Sequence, residues 1–271
     1  MKDLTDKEFF MIRDYIKKNF GISLADEKKS LVYSRLRATL QEKGFNDFTE
    51  YFNYLIKDKS GEAIVRFIDK VTTNHTFFMR EVDHFDFFRD TVLPYLETAC
   101  ASKRDIRLWC AACSSGEEPY TLQMIMQDYF KDKPEKWDTQ ILATDISSNV
   151  LTKATRGAYA AENIKSLPDK WRRDYFTQNE ANQWTITESV RKKVVYRKLN
   201  LMDDRFPFKK PMQVIFCRNV MIYFDAATRD ALVEKFYEWT EPDGYLFIGH
   251  SESLSQTGTK YKYVQPAVYR K

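Results

Sequence analysis

The chain has 271 residues, 43% of them hydrophobic and 30% charged, with a formal net charge of +4. That length suits one large or two smaller domains with an ample core, and so small a positive charge argues against a general nucleic-acid binder. No apolar run approaches the roughly 20 residues that cross a bilayer, and the opening Met-Lys-Asp-Leu-Thr-Asp-Lys-Glu has no signal-peptide apolar region, so a cytoplasmic protein without membrane insertion is expected.

Residues 1–73 read as a helical bundle. Leu4, Phe9, Ile12, Ile16 and Phe20 recur at helical spacing, with Thr5 as a cap and Gly21 as a stop. A second helix is predicted over about 27–42, ending at Gly44, and two more near 47–57 and 62–71. The second helix carries Lys28, Lys29, Arg35, Arg37 and Lys43. A charged helix face is usually just solvated, but this one is also a candidate docking face for an acidic partner, with Arg35 and Arg37 splayed to different sides. Residues 74–82 form a linker with more aromatics than a plain spacer. Phe77 and Phe78 are expected to pin it to the core while Asn74, Thr76 and Arg80 face a cavity, and His75 reads as structural.

A helix over 83–99, with Phe85, Phe88, Val92 and Leu96 on one side, opens an α/β domain predicted over 83–271. Ile106 to Ala112 is an apolar run of strand length. Ser114, Ser115 and Gly116 form a turn, and Glu117, Glu118 and Pro119 have the composition of a helix's first turn. In an open sheet that junction lies at the carboxyl edge, where ligands bind. The second strand, Gln140 to Asp145, ends in a carboxylate placed to accept both hydroxyls of a ribose; a cap or loop carboxylate is the bland alternative. One glycine in the turn, where a dinucleotide fingerprint has three, and two glutamates at the helix start disfavour phosphate. The pocket suits a nucleoside without phosphates and with a cationic group that Glu118 can pair. S-adenosylmethionine has that description.

Four cysteines, Cys100, Cys110, Cys113 and Cys217, are too scattered for a disulfide framework. Cys110-x-x-Cys113 has no second pair, and the histidines have no ligand spacing, so packed thiols and no metal are expected. From 157 to 198 the α/β order breaks. Alternation in Gln183–Thr187 and Lys193–Arg197 suggests a small inserted antiparallel β-subdomain. Strands resume at Met212–Cys217 and Tyr245–Gly249, with a helix over about 226–240 between them and Pro242-Asp243-Gly244 as a turn; the tail, Tyr261 to Arg270, reads as one antiparallel edge strand.

Several blocks together are specific. Thr73-Asn74-x-Thr76-x-Phe78-x-Arg80-Glu81, Ala111 to Tyr120, Ala143-Thr144-Asp145-Ile146, Ile215 to Phe224 and Pro242 to Glu252 stand in order over nearly the whole chain, and the chain resembles the CheR-type chemotaxis receptor methyltransferases. The resemblance implies an N-terminal helical domain, a Rossmann-like S-adenosylmethionine-dependent methyltransferase domain and an inserted β-subdomain. It implies a cofactor pocket of Asn74, Thr76, Arg80, Glu118, Asp145, Asn200, Leu201, Arg218 and Asn219, with Arg80 and Tyr223 near the methyl group. The implied activity is protein-glutamate O-methyl transfer to cytoplasmic helices of transmembrane chemoreceptors, by a monomer, with S-adenosylhomocysteine as product.

Two departures stand out. The loop Thr177–Gln183 is short and lacks the glycine of members that tether to a receptor's C-terminal pentapeptide, so tethering is not expected. The second helix is less arginine-rich than its counterparts, since Ala38 and Thr39 follow Arg37. Two rival readings are a methyltransferase for another substrate and a cofactor-sensing adaptor without chemistry.

Overall fold

The computed structural model describes residues 3–72, 75–179, 182–255 and 258–271. Four helices form the N-terminal unit: α1 (Asp6–Phe20), α2 (Lys29–Lys43), α3 (Phe48–Lys57) and α4 (Glu62–Val71). Thr5 caps α1 in a reciprocal box. Its hydroxyl accepts from the Glu8 amide, and the Glu8 carboxylate accepts from the Thr5 amide at 2.9 Å. The other Glu8 oxygen accepts from the amide and hydroxyl of Thr49 at 3.0 and 3.1 Å, so one buried carboxylate fastens α1 to α3. Burial works to raise the Glu8 pKa, but those hydrogen bonds outweigh it and hold the carboxyl below its usual range. Phe9, Ile12, Ile16, Leu36, Phe48 and Phe67 are among the side chains filling the bundle core.

The chain enters the second unit through α5 (Val82–Phe87), a π turn over Phe88–Val92 and α6 (Leu93–Ala99), a helix run of the length expected. The main sheet then alternates with helices: β1 (Leu108–Ala111), α7 (Glu117–Phe130), β2 (Ile141–Asp145) and α8 (Ser148–Arg156). Next comes a small antiparallel sheet of β3 (Ala158–Ala160), β4 (Phe176–Gln178) and β5 (Gln183–Ile186), in order β3-β5-β4, with α9 (Asp169–Tyr175) and α10 (Glu188–Arg191) beside it. The chain returns through β6 (Val194–Lys198), β7 (Met212–Cys217), α11 (Ala226–Trp239), β8 (Thr240–Ile248), β9 (Lys262–Gln265) and β10 (Val268–Arg270).

The seven-stranded order is β6-β2-β1-β7-β8-β10-β9. The first five strands run parallel, and β10 is antiparallel to both β8 and β9. From β1 the chain goes first to β2 on one side and later to β7 on the other. The crevice therefore opens at the carboxyl ends of β1 and β7, the topological switch point of a doubly wound sheet.

Three sequence expectations are corrected. Val194–Lys198 does not belong to the antiparallel insertion, because it pairs parallel with β2 as the edge of the main sheet. The tail is a hairpin, not one strand: it turns at Pro266 and Ala267, the latter at φ 60°. Pro242-Asp243-Gly244 lies inside β8 as an irregularity opposite β7 rather than before the strand.

Candidate functional site

At the end of β1 the backbone turns sharply. Ala112 (φ 60°), Ser114 (φ 48°) and Gly116 (φ 95°) all lie in the left-handed region before α7 begins. Gly116 is obligatory for a second reason: a Cβ there would lie 2.8 Å from the Tyr196 hydroxyl and 2.9 Å from Ala154 Cβ. Its free face serves helix packing, and it is Ala112, Cys113 and Ser114 that border the cavity. Asp145, at the end of β2, fixes this turn. Its Oδ2 accepts from the Ser114 amide at 2.9 Å and its Oδ1 from the Ser147 amide at 3.0 Å. Burial pushes its pKa up to about 6, against the pull of those amides. Each oxygen keeps acceptor capacity toward the cavity, the requirement for holding two vicinal hydroxyls.

The opposite end is built on Arg218, which follows β7 and whose side chain is almost fully buried. Its Nη1 donates to Glu118 Oε2 at 2.8 Å, its Nη2 to Glu81 Oε2 at 2.9 Å, and its Nη2 also reaches the Arg80 carbonyl. Asn219 Nδ2 donates to the other Glu81 oxygen at 3.0 Å. Burial works to raise the Glu81 pKa, but Asn219 and Arg218 more than offset it, so the carboxyl titrates below its usual range. Two carboxylates around one guanidinium leave this end net negative, suited to a cationic ligand group. Arg80 differs: it donates to the His75 carbonyl at 2.7 Å and carries no ion pair among the described residues.

The segment after β7 is clamped from β8. Glu252 accepts from the amides of Gly249 at 2.6 Å, Asn219 at 3.0 Å and Ile222 at 3.1 Å. Gly249 has to be glycine because a Cβ would collide with the Asn219 side chain and lie 2.9 Å from its backbone nitrogen. Sequence reasoning gave Glu252 no role, and only the fold shows which amides its carboxylate meets.

The N-terminal unit closes the cavity. Ser147 Oγ donates to Asp69 at 2.6 Å, Asn200 Nδ2 to the Asn19 carbonyl at 2.8 Å, and the Ser23 amide to the Tyr223 carbonyl at 2.7 Å. The cavity so closed is walled by residues of both units. Thr76, Arg80, Glu118, Asp145, Asn200, Leu201, Arg218, Asn219 and Tyr223 all line it. Asn74 lies outside the described residues. Phe20, Ile22, Ile68 and Asp69 also line it, and no local signal marked these bundle residues as wall.

Some placements differ from expectation. Phe78 is buried and packs edge-on against Tyr159 at 4.9 Å, but Phe77 is 41% exposed at the cavity and pins nothing to the core. Glu117 is buried under the Ser115 hydroxyl, so of the two glutamates opening α7 only Glu118 faces the cavity. Neither Arg35 nor Arg37 lines the cavity. Arg35 Nη1 donates to the carbonyls of Lys70, Val71 and Thr72 at 3.0–3.3 Å, capping α4, and the Arg37 guanidinium lies 6.0 Å from the Tyr33 ring centre.

Cys110 donates to Glu118 Oε1 at 2.8 Å, and burial holds the Cys110, Cys113 and Cys217 thiols well above their ordinary pKa. Although the histidines have no ligand spacing in sequence, Glu81, His84 and His250 bring ligand atoms within 4.8 Å of one another. Arg218 already occupies Glu81, and its charge opposes a cation there.

A doubly wound sheet with a carboxylate closing β2, and with Glu118 facing the cavity from the start of α7, fits a Rossmann-like S-adenosylmethionine-dependent methyltransferase. The comparisons agree. Residues 74–269 match the family described as CheR methyltransferase, SAM binding domain, and residues 7–72 match CheR methyltransferase, all-alpha domain. The chain belongs to this family. It is 42% identical to a chemotaxis protein methyltransferase of Borreliella burgdorferi over 99% of this chain and 95% of that protein. It is 35% identical to chemotaxis protein methyltransferase 2 of Vibrio cholerae (93% and 88% covered) and 35% identical to the chemotaxis protein methyltransferase of Escherichia coli (98% and 91%). No helix among the described residues is long and apolar enough to cross a membrane.

Proposed function

We propose that this chain methylates glutamate side chains on the cytoplasmic helices of membrane chemoreceptors, as a cytoplasmic monomer that docks without a pentapeptide tether. S-adenosylmethionine supplies an activated methyl group on a cationic sulfur. A glutamate carboxylate, with an ordinary pKa of about 4.3, is already the nucleophile at neutral pH and needs no general base. Its oxygen bonds to the methyl carbon as the carbon–sulfur bond breaks, leaving a methyl ester and a neutral thioether. Asp145 holds the ribose, Glu118 the cationic end, and Arg80 the incoming carboxylate, with the Tyr223 hydroxyl helping to orient it. The remaining work is alignment and shedding water.

Arg80 carries this reading. Of the two guanidiniums lining the cavity, Arg218 is neutralised by Glu81 and Glu118, while Arg80 has no carboxylate partner among the described residues. Only four residues, none of them glycine, separate β4 from β5, which favours docking without the tether. The test is incubation with labelled S-adenosylmethionine and receptor-rich membranes. Label released by base as methanol supports glutamyl ester formation; label stable to base, or none on receptor, refutes it.

A further inference from the structure

Of the five basic residues anticipated on the face of α2, two are engaged within their own domain. Lys29 pairs with Asp6 at 2.7 Å, and Arg35 caps α4 through three carbonyls. A different concentration of positive charge appears on the methyltransferase domain, where residues spread over 148–198 of the sequence meet. Arg156 at the end of α8, Arg191 in α10, and Arg197 and Lys198 on the edge strand β6 line one groove, floored by Leu151 and Tyr196. Arg156, Arg191 and Arg197 are exposed, and none forms a salt bridge among the described residues; Arg197 donates to the carbonyl of its neighbour Tyr196 at 2.7 Å. Lys198 pairs with Glu62 at 2.5 Å, which ties the rim of the groove to α4 and so to the unit that closes the cavity.

Three guanidiniums with no carboxylate partner among the described residues, along one groove in a chain of net charge only +4, suit an anionic partner. We propose that this groove docks an acidic segment of the protein substrate, presenting carboxylates to Arg156, Arg191 and Arg197 while a target glutamate enters the cavity. This rests on the substrate reading above, since a helix that offers glutamates for methylation presents carboxylates. Rim charges of this kind act on encounter and orientation more than on chemistry.

The test compares wild type with R156E/R191E/R197E, and with R156Q/R191Q/R197Q should the reversed variant fold poorly. Methyl transfer from labelled S-adenosylmethionine to a chemoreceptor cytoplasmic domain is measured at low and moderate salt, with S-adenosylhomocysteine affinity by calorimetry as a control. For the variants, KM for receptor is expected to rise about tenfold at low salt, with kcat and S-adenosylhomocysteine affinity within twofold. Wild-type KM should climb with salt while the variants stay flat. An unchanged KM, or a salt response equal to wild type, overturns the proposal and leaves these cations as guards of an edge strand. Absence of transfer by wild type would instead sink the substrate reading itself, so the two failures are distinguishable.

Discussion

Replacing Asp145 by Asn tests the ribose end directly. The carboxylate holds Ser114 and Ser147 amides at 2.9 and 3.0 Å and offers each oxygen to the cavity. An amide keeps one acceptor and turns an NH2 toward a backbone donor and a hydroxyl that both need an acceptor. Losing one hydrogen bond to a charged group costs about 2–3 kcal/mol, or roughly 30- to 150-fold in affinity. Titrating S-adenosylhomocysteine at pH 8 by calorimetry should show that loss. The pH dependence follows from the same residue. Its pKa is raised to about 6, and hydroxyl donors favour the ionised form, so affinity is full above that value and falls as pH drops through it. At pH 5 about a tenth of the carboxyl is ionised, so the wild-type dissociation constant should be about tenfold higher than at pH 8. The variant should lose that slope. Affinity within threefold of wild type at pH 8, or a variant with the wild-type pH response, would refute the assignment.

Other expected outcomes follow from single contacts. Arg80→Ala should lower kcat by about 100-fold, roughly 3 kcal/mol, with S-adenosylhomocysteine affinity changed only a few-fold; unchanged turnover would remove Arg80 from the mechanism. Gly249→Ala puts a methyl against the Asn219 side chain and 2.9 Å from its backbone nitrogen, so unfolding in urea should show a loss of about 1–3 kcal/mol with weakened cofactor binding. Full stability and affinity there would mean that Asn219 is not held as described. Arg35→Ala should cost about 1–2 kcal/mol of stability by uncapping α4, with little change in receptor KM. A raised KM at unchanged stability would return Arg35 to the docking surface.

What the sequence disclosed was local. Thr5 and Gly21 bound α1 as their chemistry requires, and Glu62 to Val71 forms a helix with the bounds expected from its pattern. The turn after β1 and the carboxylate closing β2 were readable because changes of hydrophobic period mark strand ends. Tertiary choices were not. Lys193–Arg197 alternates equally well as an inserted strand or a sheet edge, and only pairing with β2 decides. A charged residue on a helix looks the same whether it faces solvent or three carbonyls of a neighbouring helix, so Arg35 could not be placed from α2 alone. Phe77 and Phe78 are adjacent and alike in hydrophobicity, yet one is core and the other cavity wall. The groove of Arg156, Arg191 and Arg197 draws on residues up to 41 positions apart and leaves no trace in the charge pattern.

The central claim is that the cavity between the two units holds an adenosyl group, with its ribose at Asp145 and its sulfur end beneath Arg80. The most direct measurement is a crystal structure of the chain with S-adenosylhomocysteine. The expected result places both ribose hydroxyls within hydrogen-bond distance of the Asp145 carboxylate, the amino acid end beside Glu118, and Arg80 next to the sulfur. A nucleoside bound elsewhere, or bound in this cavity with Asp145 facing away from the ribose, would contradict the account.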